Sequence, residues 1–153
     1  MDNATTPRFR LVPIESSIAD GLRATGGIRH TADAKPGYPC RQCLRDAEIG
    51  EELILVAHDP FTQDSPYRST SPIFLHAEPC VPHLAAEALP EQLTVRTLSV
   101  RAFDHQAMMT DAELIEGRDL QDTIERFFQD SDVERIHVHN ASPGCWAVTV
   151  TRA

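Results

Sequence analysis

The sequence predicts an α+β fold, a single domain with a largely antiparallel or mixed sheet and two helices. Three observations lead to this prediction. Segments in which polar and apolar residues alternate, typical of half-buried strands, recur along the chain. Apolar residues at Leu120, Ile124 and Phe127 have the spacing of an amphipathic helix. Most of the predicted strands are separated by short connections, which favours antiparallel neighbours.

Length and composition indicate one globular domain spanning residues 1–153. Hydrophobic residues make up 41% of the chain and charged residues 24%, as is ordinary for a folded protein. A chain of 153 residues is long enough to build a core without disulfides. Residues 1–7 are polar, and we expect them to be flexible.

The N-terminal part of the sequence predicts a strand and a helix. Residues 8–14 begin by alternating polar and apolar side chains, which predicts a first strand. Ser16 or Ser17 caps a short helix that stops at Gly26. Residues 28–38 are polar and irregular, and they lead into a pair of cysteines.

Two further strands flank a loop in the middle of the chain. Residues 53–57 form a continuous apolar run, which suits a strand that is buried on both faces. Residues 58–71 are rich in Asp, Ser, Thr and Pro and predict a loop. Residues 72–77 predict a short strand that runs into a segment containing Pro79 and Pro82. These two prolines exclude regular structure there.

The C-terminal third predicts a hairpin, a helix and a second hairpin. Residues 95–103 and 108–115 alternate well enough to form the two strands of an antiparallel hairpin. Residues 118–129 contain the amphipathic helix. Residues 133–139 and 145–151 predict two final strands joined by a tight turn.

Charge and hydropathy exclude several classes of function. The net charge is −9, with scattered basic residues, so the sequence offers no cationic surface for nucleic acid. No apolar run approaches the roughly 18–20 residues that span a bilayer, and the N-terminus lacks the apolar core of a signal peptide. We therefore expect a cytoplasmic protein without membrane contacts, in which cysteines more often serve metal or redox chemistry than disulfides.

The cysteines form the main candidate site. Cys40 and Cys43 make a Cys-x-x-Cys pair, which commonly supplies two ligands of a tetrahedral zinc site. Cys80 is the expected third ligand. His83 follows it at Cys-x-x-His spacing on the proline-stiffened turn, and Cys145 is the alternative fourth ligand. Zinc is the ion that this sulfur-rich set favours.

Two other interpretations of the same thiols stay open. Cysteine is among the most often buried residues, and Cys145 beside Trp146 suits an inert core thiol. A dithiol oxidoreductase at Cys40 and Cys43 is the second interpretation, because a nearby arginine at position 41 can favour a thiolate. Against it, the short segment after Cys43 leaves little room for the helix that follows a thioredoxin-like motif.

Histidines suggest a second candidate site. His137 and His139 lie two residues apart on a predicted strand, so both project from one face. Together with His76, on another predicted strand, they could serve a metal-dependent enzyme. No carboxylate follows closely after His139, and solvent-facing histidines are the more frequent case. His76 alone is typical of a satisfied histidine at a sheet edge.

Four segments together carry a family resemblance. They resemble a bacterial family of domains of unknown function, over nearly the whole chain from Phe9 onward. The resemblance implies a free-standing bacterial protein whose cysteines and histidine-containing strands belong to the family pattern, and it implies no established activity, substrate or cofactor. The segments are Tyr-Pro-Cys-Arg-Gln-Cys-Leu at 38–44, Phe-Leu-His-Ala-Glu-Pro-Cys at 74–80, Arg-Ala-Phe-Asp at 101–104, and His-Val-His-Asn-Ala at 137–141 with Gly144 and Cys145.

Overall fold

Two antiparallel sheets form the framework of the computed structural model, which describes residues 7–82 and 89–153. The α+β prediction is confirmed, although the strands divide between two sheets rather than joining one. Within the described ranges the strands are β1 (Phe9–Val12), β2 (Ile28–Thr31), β3 (Glu52–His58), β4 (Ser71–His76), β5 (Thr97–Phe103), β6 (Met109–Glu116), β7 (Arg135–Asn140) and β8 (Trp146–Arg152). The helices there are α1 (Ser16–Thr25), α2 (Glu91–Thr94) and α3 (Leu120–Phe127).

The larger sheet has the strand order β1-β8-β7-β5-β6. Its register places Val138 of β7 opposite both Val100 of β5 and Val148 of β8, so that one face is apolar. Helix α3 packs its buried side chains into this face and completes the main hydrophobic core. Because neighbouring residues of a strand point to opposite faces, His137 and His139 lie on the other face.

The smaller sheet has the strand order β2-β3-β4. Its strand β4 contacts β8, near the face of the larger sheet that carries His137 and His139. Trp146 of β8 shares a core with Ile54, Val56 and Ile73 of the smaller sheet. The Trp146 backbone N–H donates a hydrogen bond to Ser71 Oγ at 3.1 Å, which fixes β8 against the start of β4. The smaller sheet therefore positions the loops that carry the cysteines.

Strand β2 corrects the prediction that residues 28–38 are irregular. Ile28 pairs with Leu55 and Thr31 with Glu52, so β2 is an edge strand of the smaller sheet. Most side chains of β2 are exposed, which is why its sequence shows no apolar alternation. Backbone pairing with β3 therefore holds these residues in a strand, although their own sequence does not indicate one.

Most of the other elements match their predictions within a few residues. Helix α1 begins at Ser16 and ends before Gly26, whose φ of 101° favours glycine, while Glu15 occupies the cap position without a side-chain hydrogen bond. The predicted helix over residues 118–129 is a 3-10 turn (Gly117–Asp119) followed by α3. The short helix α2 was not predicted. In the described part of the chain, no helix is long and apolar enough to cross a membrane.

Candidate metal centre

The Cys-x-x-Cys pair lies on a tight turn between Pro39 and Asp46, which form a bridge. The Leu44 N–H donates to the Cys40 carbonyl at 3.1 Å, and the Cys40 N–H donates to the Arg45 carbonyl at 3.0 Å. Leu44 adopts a φ of 61°, a left-handed conformation that is uncommon for a residue with a Cβ. Its side chain is buried in the main core, and this packing holds Leu44 in that conformation.

Backbone contacts fix this turn beside β4. Cys40 forms a parallel bridge with Phe74, and the Arg41 N–H donates to the Phe74 carbonyl at 3.0 Å. From the other side, Gln92 Nε2 donates to the Cys40 carbonyl at 3.1 Å. The turn is therefore held next to the end of β4, where His76 is the last residue of the strand.

Four side chains converge at this point: Cys40, Cys43, His76 and Cys80. One ligand atom from each of them lies within 4.8 Å of all the others. Cys40 Sγ and Cys80 Sγ are 3.7 Å apart, and Cys43 Sγ is 3.5 Å from His76 Nδ1. Cys40 and Cys43 are buried, whereas His76 and Cys80 are half-buried. The cluster could therefore bind a metal ion.

Two of the distances in the cluster can be compared with those of a tetrahedral site that has sulfur and nitrogen ligands. With Zn–S bonds of about 2.3 Å and Zn–N bonds of about 2.0 Å, tetrahedral geometry separates two sulfurs by about 3.8 Å and a sulfur from a nitrogen by about 3.5 Å. The observed distances of 3.7 Å and 3.5 Å agree with both values. Cys40 Sγ also accepts the His76 backbone N–H at 3.3 Å, which orients the sulfur.

Glu51 orients the histidine of the cluster. His76 Nε2 lies 3.0 Å from Glu51 Oε1, while Nδ1 faces the sulfurs. Glu51 Oε1 also accepts the Glu48 backbone N–H at 2.7 Å, so the carboxylate is fixed. This N–H, followed by the bond with His76, lowers the pKa of Glu51. A carboxylate on the far nitrogen is the usual support of a histidine that ligates a metal.

Hydrogen bonds within the cluster separate the protonation states of its members. Bonds with Cys43 and then Cys80 lower the pKa of the Cys40 thiol, although burial opposes them. The bond with Cys40, followed by that with Cys43, raises the pKa of Cys80. Bonds with Cys40 and Cys43 raise the pKa of His76 to about 11. These shifts favour a thiolate at Cys40, the form in which cysteine binds metals, and a proton on each of Cys80 and His76. A metal ion that binds all four side chains would displace the protons of Cys80 and His76.

Gln42 and Arg23 connect the cluster to helix α1. Gln42 Oε1 lies 3.7 Å from Cys80 Sγ and accepts a hydrogen bond from Arg23 Nη2 at 2.6 Å. Arg23 Nε donates to the His76 carbonyl at 2.9 Å. The guanidinium thus connects helix α1 to both the cysteine turn and the end of β4. Nothing in the sequence of α1 indicated this contact.

Sequence reasoning selected three of the clustered residues and a different fourth one. Cys145 lies elsewhere, since its sulfur accepts a hydrogen bond from Arg41 Nη2 at 3.0 Å. His83 lies outside the described residues. The structure brings in His76 instead. Its position four residues before Cys80, at the end of a predicted strand, is the signal that could have identified it.

The second predicted site, which combined His76 with His137 and His139, is not assembled. Within the described ranges, no group of three metal-binding side chains includes His137 or His139. The His137 ring packs between Phe61 and Phe103, with centroids 4.8 and 5.0 Å away, and its nitrogens have no hydrogen-bond partner among the described residues. His139 Nδ1 bonds the Gly144 carbonyl at 2.9 Å. His137 therefore packs beneath the loop after β3, and His139 is bonded to the turn between β7 and β8.

The fold and the cluster together define a small α+β protein with a Cys3His group suited to a metal ion. Comparison with known families then identifies the family of this chain. Residues 37–152 match DUF1203, described as a protein of unknown function, and the chain belongs to this family. The match includes all four residues of the cluster. Searches of curated proteins and of solved structures gave no match.

Proposed function

We propose that the chain is a binding module whose Cys40–Cys43 turn is held in place by a structural zinc ion. The ligands are Cys40, Cys43, His76 and Cys80. The observation that supports this proposal most directly is the convergence of the four ligand atoms within 4.8 Å. Glu51 supports it further, because its carboxylate fixes the histidine with Nδ1 toward the sulfurs.

The donor set favours zinc over other ions. Three thiolates and one imidazole are soft ligands, which select zinc rather than magnesium or calcium. Structural zinc sites are usually closed by four protein ligands, whereas catalytic sites keep one position for water. Four converging side chains therefore support a structural role. A reducing compartment such as the cytoplasm would keep these free thiols available to the ion.

The same geometry argues against a dithiol oxidoreductase. Cys40 and Cys43 are 0% and 1% exposed, so a partner disulfide has poor access to either sulfur. The turn is followed by Leu44 and Arg45, and no helix begins there. A redox enzyme would instead present one accessible thiolate at the start of a helix.

Zinc content tests the proposal. Protein expressed without a histidine tag should carry about one zinc ion per chain by native mass spectrometry and elemental analysis. Cys80→Ser should lose most of this zinc, while Cys145→Ser, which removes the thiol outside the cluster, should retain it. Zinc-free wild-type protein that regains no zinc on titration would refute the proposal. Equal zinc content in the two variants would refute the assigned ligands.

The structural role has its own readout. Removing zinc with a chelator should lower the melting temperature of the wild-type protein, because binding to the folded state alone stabilises it. Cys80→Ser should melt near the temperature of the chelated wild type, and the chelator should change it little. A wild-type melting temperature that is unchanged by complete zinc removal would contradict a structural ion.

A further inference from the structure

A cavity of about 470 Å³ lies beside the Cys40–Cys43 turn. Its wall includes residues of β3 and β4, Arg41 of the cysteine turn and residues 141–143 after β7. Most of the accessible wall is apolar, with Leu55 and Phe74 among its side chains. Cavities of about 300–1,000 Å³ with apolar walls and a few polar groups are typical of sites for small molecules.

The two arginines of the wall are already engaged by the protein. Arg96 forms hydrogen bonds of 2.7 and 2.9 Å with the carboxylate of Asp46, which neutralises its charge. Arg41 is 1% exposed, and each of its three nitrogens donates a hydrogen bond within the protein. Neither arginine therefore needs an anion in the cavity.

Asn140 is a buried polar residue of the wall whose hydrogen bonding is incomplete. It lies at the end of β7, is 5% exposed, and its side-chain Oδ1 has no hydrogen-bond partner among the described residues. Two other polar residues of the wall, Thr97 and Ser142, are exposed, so water can reach them. A buried amide oxygen without a partner is uncommon, and a bound hydrogen-bond donor would satisfy it.

These features of the wall indicate what kind of molecule it would bind. Because an amide oxygen only accepts hydrogen bonds, the group that satisfies Asn140 Oδ1 has to be an N–H or an O–H. A cation would meet Arg41 and Arg96 and, among the described residues of the wall, no carboxylate. A carboxylate or a phosphate dianion would bring no donor to the oxygen. A neutral donor satisfies Asn140 without adding a charge to an apolar cavity.

We propose that this cavity binds a small neutral molecule that joins an apolar body to one N–H or O–H donor. The donor bonds Asn140 Oδ1, and the apolar body packs against Leu55, Phe74 and Pro143. This inference rests on the proposed function and deepens it, because it names the class of ligand for the binding module. None of the four cluster residues lines the cavity, so ligand binding and zinc binding can be measured separately.

Titrations followed by amide NMR test the proposal on the purified protein. The probes are two neutral donors, indole and benzyl alcohol, and their methylated counterparts without a donor, 1-methylindole and benzyl methyl ether. At least one donor should shift the amide signals of Asn140, Ala141 and Cys145 with saturation, and its methylated counterpart should bind about three- to tenfold more weakly. Absence of saturable shifts with both donors, or methylated probes that bind as tightly as the donors, would overturn the proposal.

Replacing Asn140 tests whether its oxygen selects the donor. Asn140→Leu removes the acceptor and keeps a side chain of similar size, and no described hydrogen bond of Oδ1 is lost. The variant should still bind the probes through their apolar bodies, but each donor and its methylated counterpart should bind equally well. A preference for the donor as large as in the wild type would overturn the proposal.

A blocking variant locates the binding site even if Asn140→Leu does not fold. Ser142 lines the cavity and is exposed, so Ser142→Trp should obstruct the cavity and abolish the shifts. Ser131→Trp, the same change in an exposed turn elsewhere, should leave binding unchanged. Unchanged binding in Ser142→Trp would overturn the proposal. Zinc content is measured on the same samples: zinc without saturable shifts overturns the ligand alone, and shifts without zinc overturn the metal site alone.

Discussion

Replacing His137 with phenylalanine should make the protein less sensitive to acid. The histidine is fully buried between two phenylalanine rings, and both of its nitrogens lack partners among the described residues. Burial, the main cause, lowers the pKa of His137 from its ordinary 6.5 to about 3. The folded state therefore keeps the ring neutral at pH 5, whereas the unfolded state protonates it. The stability that this neutral ring provides is complete above pH 6.5 and is lost as the pH falls toward 3.

The magnitude follows from the two pKa values. Between pH 7.5 and pH 5, a single histidine with these values makes folding less favourable by about 2 kcal/mol. Urea unfolding at the two pH values, followed by circular dichroism, measures this loss for wild type and for His137→Phe. The variant should lose about 2 kcal/mol less than the wild type. The pH dependence of the metal cluster is common to both proteins and cancels in the difference.

His105 provides the matched control. Its side chain is 64% exposed, so His105→Phe should keep the wild-type dependence on pH. The phenylalanine at position 137 could alter stability through packing alone, but that effect is the same at both pH values. An equal loss of stability in wild type and His137→Phe would refute the conclusion that the buried ring stays neutral.

Two further predictions concern the support of the cluster and the packing of the 3-10 turn (Gly117–Asp119) against the end of α2. Glu51→Gln should weaken zinc binding by about 10- to 100-fold, because it removes the carboxylate that fixes His76. A competition titration with a chromophoric chelator measures this affinity. An unchanged affinity would show that the carboxylate is dispensable. Gly117→Ala should lower the free energy of unfolding, measured with urea, by about 1–3 kcal/mol, because the added Cβ would lie 2.7 Å from the Arg96 carbonyl. Gly21→Ala in α1 is the control: its Cβ meets nothing within 4 Å, so it should raise the free energy of unfolding by about 0.5–1 kcal/mol. Equal effects of the two substitutions would contradict this packing.

Elements with a strong local pattern could be predicted from the sequence. The spacing of Leu120, Ile124 and Phe127 predicted α3, because one apolar stripe has to face the core. The alternation in β5 and β6 predicted their hairpin in the same way. Strand β2 could not be predicted, since its side chains are mostly exposed and its order comes from pairing with β3.

The candidate site shows the same division between local and long-range information. Spacing alone identified Cys40 and Cys43 as one half of a candidate metal site. The fourth residue depends on the register that places Phe74 beside Cys40 and so brings His76 to the sulfurs. The position of His76 four residues before Cys80 makes it a candidate ligand, but this spacing does not determine the register. Cys145 was a reasonable alternative on composition, yet its sulfur faces the guanidinium of Arg41.

The first coordination shell of the bound ion tests the central claim most directly. X-ray absorption at the zinc edge, on tag-free protein loaded with one equivalent of zinc, measures which atoms surround the ion and at what distances. We predict three sulfurs at about 2.3 Å and one nitrogen at about 2.0–2.1 Å. A shell with fewer than three sulfurs, or one made only of nitrogen and oxygen, would contradict a zinc site formed by Cys40, Cys43, His76 and Cys80.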